Sequence, residues 1–140
     1  METMGKISVS DLSIGDWVQA RMVKWDYEDL DITPPMRVAE ISSDEVMLQL
    51  GSVKHYAFVD DLKPIHITAE VLEKNGETSK DYLAWLIAGR AVVEKESTGV
   101  YSVHIYDAAI DKVLVTACAQ HVHQLQHALR LAGVEKEIVL

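Results

Sequence analysis

Alternating apolar and polar residues predict a series of short β-strands in the first 66 residues. Between Glu45 and Leu50, apolar residues occupy every second position at Val46, Leu48 and Leu50, as in a strand with one buried face. Strands are predicted over five segments, at 17–25, 36–41, 45–50, 54–59 and 63–65, with a 3₁₀ turn over 60–62. Five short strands joined by tight turns are typical of a small β-barrel, which removes exposed strand edges.

The second half of the chain mixes helix and strand patterns. Thr68 can cap a short helix over 69–74, and Asn75-Gly76 ends it because glycine tolerates a left-handed C-terminal cap. Apolar residues recur at helical spacing over 120–132, and this second helix stops at Gly133. The remaining elements are predicted to be a hairpin turn at 97–99 and strands at 100–106, 112–117 and 137–140.

The stretch from 80 to 95 fits two structures. Leu83, Leu86 and Ile87 have helical spacing. The run from Ala91 to Val93 indicates a strand instead, and Gly89 interrupts a helix. We favour a bulged or broken strand, and a helix over 80–88 is the alternative.

Charge and cysteine content narrow the range of functions. The chain has 140 residues, a formal net charge of −9 and one cysteine, Cys118, which excludes an internal disulfide and fits a reducing compartment. Residues 1–66 contain 12 acidic and 6 basic residues, and residues 67–140 contain 10 and 7. Neither part has a positive surplus to neutralise phosphates, so nucleic-acid binding is not expected. Because no signal-type or membrane-length apolar run occurs, we expect a cytoplasmic protein without membrane contact.

Three segments carry a resemblance to a known family. They are Asp11-Leu12-Ser13-Ile14-Gly15-Asp16-Trp17-Val18, the stretch from Leu62-Lys63-Pro64-Ile65 to Asn75-Gly76, and Val122-His123-Gln124-Leu125-Gln126. With them the chain resembles a family of small uncharacterised proteins of anaerobic gut bacteria, often encoded near prophage or mobile-element genes. The resemblance implies an SH3-like barrel followed by a small α+β unit, and it implies no activity. Glu77 stands where the family tends to have an aromatic residue, which leaves the start of the next strand open.

The pattern and the resemblance together predict an α+β fold in two parts. Residues 1–66 are predicted to form an SH3-like β-barrel. Residues 67–140 are predicted to form an antiparallel β-sheet with a short helix and a C-terminal helix.

Two histidines suggest a metal site. His123 and His127 are four residues apart and share a helix face, a spacing that suits a zinc or nickel pair. A glutamine follows His123, so the general base of a His-Glu-x-x-His metalloprotease is missing. A third ligand would have to come from His104, Cys118 or an acidic residue elsewhere. We favour a solvated face formed by His123, His127 and Arg130, and we expect neither a metal nor a cofactor.

Two other features of the sequence have simpler interpretations. Cys118 lies near His121, but no positioned base or oxyanion site is evident, so Cys118 is interpreted as a small buried residue at a strand–helix junction. The acidic segment 26–31 lacks the central glycine and closing glutamate of an EF-hand loop, and we interpret it as a solvated loop.

Three aromatic residues are candidates for an interaction groove. SH3-like barrels hold extended, proline-rich peptides in aromatic grooves, and Trp17, Trp25 and Tyr27 could line one here. The alternative is that these side chains pack in the core and rim of the barrel.

The sequence therefore predicts a non-catalytic module that binds a protein partner and is either a monomer or a homodimer. A nucleic-acid-associated barrel remains an alternative, and a metal-binding protein that uses the histidine helix is another. The nucleic-acid alternative requires four basic residues to converge on one face: Arg21, Lys24, Arg37 and Lys54.

Overall fold

A computed structural model of the chain describes residues 7–23, 30–79, 83–107 and 112–140. The chain folds as two compact units, Met1–Ile65 (unit 1) and His66–Leu140 (unit 2). Strands predominate, and two α-helices lie in unit 2, so the fold class is α+β. Within these described residues, no helix is long and apolar enough to span a membrane.

Unit 1 is built from short antiparallel strands. They are β1 (Trp17–Val23), β2 (Leu30–Ile32), β3 (Met36–Ile41), β4 (Glu45–Leu50), β5 (Val53–Phe58) and β6 (Leu62–Lys63). Two 3₁₀ turns, Val9–Asp11 and Val59–Asp61, accompany them. The order in the sheet is β2-β1-β3-β4-β5, and β6 pairs with β1.

Strand β1 has three neighbours because successive parts of it pair with different strands. Trp17 and Val18 pair with β3, the next two residues pair with β6, and Arg21 to Val23 pair with β2. The beginning and the end of unit 1 therefore meet, as the sequence predicted. The finer prediction of a barrel is not confirmed, because the sheet formed by the described residues does not close and β5 lies at one end of it.

The inner faces of these strands enclose one apolar core. Its members are buried residues from the second 3₁₀ turn, the segments around the first one and the strands: Ile7, Leu12, Val18, Ala20, Met36, Val38, Val46, Leu48, Ala57, Val59 and Leu62. The alternation in β4 that predicted this strand is thus the alternation that fills the core, although Leu50 at its end is exposed.

The described residues of unit 2 form a five-stranded antiparallel sheet with two helices. The elements are α1 (Ala69–Asn75), β7 (Glu77–Thr78), β8 (Ala84–Ile87), β9 (Ala91–Ser97), β10 (Val100–Asp107), β11 (Lys112–Ala119) and α2 (Val122–Leu131). The strand order is β11-β10-β9-β8-β7. Helix α1 packs against β7 and β8, and α2 packs against β10 and β11.

The sequence between the two helices forms hairpins. The favoured broken strand over 80–95 corresponds to β8 and β9 joined by a turn at Ala88-Gly89, where both residues have positive φ. The alternative helix is wrong for Ala84–Ile87, while residues 80–82 lie outside the described residues. Strand β7 begins at Glu77, directly after Gly76. The strand therefore starts at this position although Glu77 replaces the aromatic residue of the family pattern.

Helix α1 begins where the sequence predicted. The left-handed glycine cap predicted for its end is wrong. The Val71 N–H donates to Thr68 Oγ1 at 3.2 Å. Gly76 has an extended φ of −158° rather than a left-handed one. A Cβ at this position would lie 2.6 Å from the carbonyl oxygen of Leu86, so glycine is needed here for close approach to β8.

The C-terminal segment corrects another prediction. Residues 137–140 do not form a strand. They are fixed by the burial of Ile138 and by hydrogen bonds between Val139 and the side chain of Asn75. A side-chain amide therefore takes the place of a neighbouring strand.

Candidate functional site

Among the described residues, strand β5 is an edge of the first sheet, and half of its backbone polar groups point away from β4. The Val59 N–H donates to the Asp44 carbonyl at 2.8 Å, which marks a hydrogen-bonded pair of the β4–β5 ladder. Such pairs recur at every second residue in an antiparallel ladder. The N–H and C=O groups of Lys54, Tyr56 and Phe58 therefore point outward, where another strand could pair with them.

Two aromatic side chains of this edge are exposed. Tyr56 is 65% exposed and Phe58 is 56% exposed, and they stand on the same face of β5 because they are two residues apart. Their partners in β4 are Met47 and Glu45, respectively. Large aromatic side chains at a strand edge supply the apolar contact area that protein interfaces use most.

A groove of about 460 Å³ lies at the Phe58 end of the edge. Its lining combines apolar side chains with hydroxyl and carboxylate groups: Ile7, Val9, Phe58, Val59, Ser8, Ser43, Asp44 and Asp60. The two aspartates are exposed, so the groove offers an apolar floor beside negative charge. We call β5 and this groove together the edge site.

The aromatic groove predicted from the sequence is described only in part. Trp25 and Tyr27 lie outside the described residues. Trp17 is half-buried, and the guanidinium carbon of Arg37 lies 4.6 Å from the centre of its ring. This cation–π contact occupies a face of the indole ring that a peptide would otherwise use.

The basic residues of unit 1 do not form one free patch among the described residues. The Arg21 guanidinium binds the Asp61 carboxylate at 3.2 Å. Arg37 and Lys54 flank Gln49 in one row across β3, β4 and β5. Lys24, the fourth basic residue of the predicted set, lies outside the described residues.

Four histidines gather where α2 begins. His66 forms an isolated β-bridge with His121, and their ring centres are 5.0 Å apart. The His121 ring stacks on His123 at 5.8 Å, and the His123 ring meets His127 edge-on at 5.7 Å. Burial, followed by the charge of His66, lowers the pKa of His121.

The solvated face predicted for α2 is wrong at His123. This side chain is only 4% exposed, whereas Arg130 is exposed as expected. His123 and His127 do lie side by side, but no third ligand atom joins them at metal-binding distance among the described residues. Cys118 is exposed on β11, so its interpretation as a buried residue is also wrong.

A second cluster of metal-ligating side chains lies on β9 and β10. One ligand atom from each of Glu94, Glu96 and His104 lies within 4.8 Å of the others. Ser102 stands between them: its hydroxyl donates to Glu96 Oε2 at 2.6 Å and lies 3.1 Å from His104 Nε2. The Nε2 atom of His104 is also 3.1 Å from Glu94 Oε1.

The other ring nitrogen of His104 contacts a side chain of the neighbouring strand β11. His104 Nδ1 lies 3.2 Å from Thr116 Oγ1 on β11, and the two residues are directly paired in the sheet. We call Glu94, Glu96 and His104, with Ser102 and Thr116, the strand cluster.

The sequence contains a pattern that points to the strand cluster but is not among the predicted sites. Glu94 and Glu96 are two apart, as are Ser102 and His104, so each pair lies on one face of its strand. The register that pairs Ser102 with Glu94 brings the two pairs together. Only a predicted register could have shown this, because seven residues lie between Glu94 and Ser102 along the chain.

Comparison with known proteins adds no family to this picture. No family model, curated protein or solved structure matches the chain.

Proposed function

We propose that this protein is a non-catalytic interaction module that binds an extended, basic segment of a partner protein at the edge site. The observation that carries the proposal is the outward direction of the backbone groups of Lys54, Tyr56 and Phe58 beside two exposed aromatic rings. An extended segment can add to such an edge as a further strand, with main-chain hydrogen bonds giving affinity and side-chain pockets giving specificity.

The charge of the edge site favours a basic segment. Asp44 and Asp60 flank the groove beside Phe58, and unit 1 as a whole has twice as many acidic as basic residues. A lysine or arginine of the partner next to an apolar residue would match the carboxylates and the apolar floor together. Such contacts steer association and become weaker as salt is added.

The same charge argues against a second copy of this chain as the partner. Two acidic units repel each other, whereas an acidic unit attracts a basic segment. Homodimerisation through β5 is therefore an outcome that the experiment below has to exclude.

The proposal includes an SH3-like β-barrel fold for unit 1. It is supported by the pairing of β1 with both β3 and β6, and by the 3₁₀ turn that immediately precedes β6. In this proposal the open edge at β5, rather than an aromatic groove around Trp17, is the binding surface.

The test uses a labelled, capped peptide of eight residues in which lysine and valine alternate. Fluorescence anisotropy should show saturable binding to the full chain. Two control peptides should bind at least tenfold more weakly: one with glutamate in place of lysine, and one with the same sequence but an N-methylated backbone, which cannot donate hydrogen bonds.

Matched variants locate the binding. Tyr56→Pro removes an outward N–H without breaking the ladder to β4, so it should weaken binding at least tenfold while the fold is retained. Tyr56→Thr keeps the N–H and should weaken binding less. Leu131→Ser, at an 83% exposed residue in unit 2, should leave binding unchanged.

Three results would overturn the proposal. They are equal binding of the normal and the N-methylated peptide, full binding by Tyr56→Pro, and tighter binding of a single-stranded oligonucleotide than of the lysine peptide. A dimer that Tyr56→Pro dissociates would assign β5 to self-association instead.

A further inference from the structure

We propose that the strand cluster of unit 2 is a Zn²⁺ site in which Glu94, Glu96 and His104 supply the ligands. The proposal is independent of the edge site, since all of its residues belong to unit 2. It assigns to the chain a metal site that differs from the His123–His127 pair.

The types of ligand fit zinc. Carboxylate oxygens and imidazole nitrogens are both common zinc ligands. Two carboxylates would balance the charge of a divalent ion, and one imidazole disfavours Mg²⁺, which prefers an octahedral shell of oxygens. With three protein ligands, the fourth position is left for water.

The spacing of the ligand atoms also fits. Zinc–ligand bonds of about 2.1 Å in a tetrahedral site place the ligand atoms roughly 3.4 Å from one another. The three ligand atoms here already lie within 4.8 Å of one another, and Glu94 Oε1 is 3.1 Å from His104 Nε2. Both glutamates are exposed, so rotation about their side-chain bonds can close the remaining distance without moving the strands.

The imidazole is already oriented for this role. A histidine that binds a metal usually donates its second ring N–H to an acceptor, which fixes the tautomer and the direction of the ring. Thr116 Oγ1 stands 3.2 Å from Nδ1 and can accept that proton, leaving the Nε2 lone pair directed at the glutamates. Thr116 is therefore a positioning residue, and Zn²⁺ would bind Nε2 on the side where Glu94 lies.

One more potential ligand has to be controlled. Cys118 is exposed and is paired with Ser102 across β10 and β11, so its thiol lies on the same face of the sheet. A thiolate is a strong zinc ligand and could dominate a titration. The experiment therefore uses the full chain with Cys118→Ser as the background.

The test is isothermal titration with zinc chloride. The Cys118→Ser chain should bind one Zn²⁺, and it should bind Mn²⁺ at least tenfold more weakly, in line with the usual order of divalent ions. Glu94→Gln, an exposed substitution that leaves the sheet intact, should weaken Zn²⁺ binding at least tenfold, and His104→Ala should abolish it. His127→Gln is the matched control and should bind as the background does.

Thr116→Val tests the positioning role. Valine has the same β-branched shape as threonine, so the substitution removes only the hydroxyl that can accept the Nδ1 proton of His104. Affinity should fall about tenfold, the usual cost of losing a group that orients a ligand, with the stoichiometry unchanged.

Glu94→Gln should show a circular dichroism spectrum like that of the background, which separates ligand loss from unfolding.

Three outcomes would overturn the proposal. They are the absence of saturable Zn²⁺ binding by the background chain, binding that Glu94→Gln and His104→Ala leave unchanged, and binding that disappears in His127→Gln. If the unchanged chain binds Zn²⁺ and the Cys118→Ser chain does not, the metal belongs to the Cys118 thiol instead.

Discussion

The side-chain amide of Asn75 pairs with both backbone groups of Val139. Asn75 Nδ2 donates to the Val139 carbonyl at 2.7 Å, and Asn75 Oδ1 accepts from the Val139 N–H at 2.8 Å. The same Nδ2 also donates to the Val71 carbonyl at 2.7 Å. One buried side chain at the end of α1 therefore fixes the last residues of the chain to unit 2.

Replacing Asn75 should release the C-terminal segment. We expect Asn75→Ala to lower the free energy of unfolding of unit 2 by about 1–3 kcal/mol, because it leaves polar backbone groups without partners. Amide hydrogen exchange at Val93 and Val103 in the buried sheet measures this loss. The exposed neighbour Lys74→Ala serves as the control, and equal exchange in the two variants would contradict the account.

Gly76 should not accept even a methyl group. In Gly76→Ala the new Cβ meets the Leu86 carbonyl oxygen, 2.6 Å away in the present structure, so α1 or β8 has to shift. Such overpacking costs about 1–3 kcal/mol. Urea denaturation of unit 2 measures the loss, with exposed Glu77→Ala as the control; an unchanged midpoint for Gly76→Ala would refute the close approach.

Unit 2 should lose stability in acid through His121. Burial and the nearby His66 lower the pKa of His121 in the folded chain below its ordinary value of 6.5. As the pH falls through 6.5, the unfolded chain takes up the proton and the folded chain does not, so stability decreases. Above this pH, His121 is neutral in both the folded and the unfolded chain, so it does not lower the stability of unit 2.

A matched pair of variants isolates this effect. His121→Asn keeps a capping side chain at the start of α2 and removes the titrating group, so it should flatten the decline of the urea midpoint below pH 6.5. His55→Asn in unit 1 should leave the decline of unit 2 intact. Parallel curves for His121→Asn and the unchanged chain would show that another group is responsible.

Local chemistry in the sequence predicted much of the fold. The sequence pattern predicted β3 and β4 with their observed bounds, β4 from its alternation, and the hydroxyl of Thr68 predicted the start of α1. Gly99 and Gly133 predicted a hairpin turn and a helix end, and both glycines have the positive φ that these positions require. These features depend on neighbouring residues, which a single sequence displays directly.

Apart from the pairing of β1 with β6, features that depend on distant contacts were not predicted. The solvated face predicted for α2 is wrong at His123, whose side chain is buried. The exposure of this side chain depends on the residues that pack around it rather than on its own polarity. Gly76 was interpreted as a helix cap, although its role depends on β8, ten residues away. The edge site depends on which strand lacks a second neighbour among the described residues of unit 1. Its position was not predicted, because an edge strand and a central strand show the same alternation of apolar and polar residues.

The central claim is that β5 offers free backbone groups to a partner, and amide hydrogen exchange tests it most directly. In the free protein the amides of Lys54, Tyr56 and Phe58 should exchange rapidly, while that of Ala57, which faces β4, is protected. Saturating lysine–valine peptide should then protect Tyr56 and Phe58. Slow exchange of these outward amides before any peptide is added, or no added protection when the peptide is bound, would contradict the account.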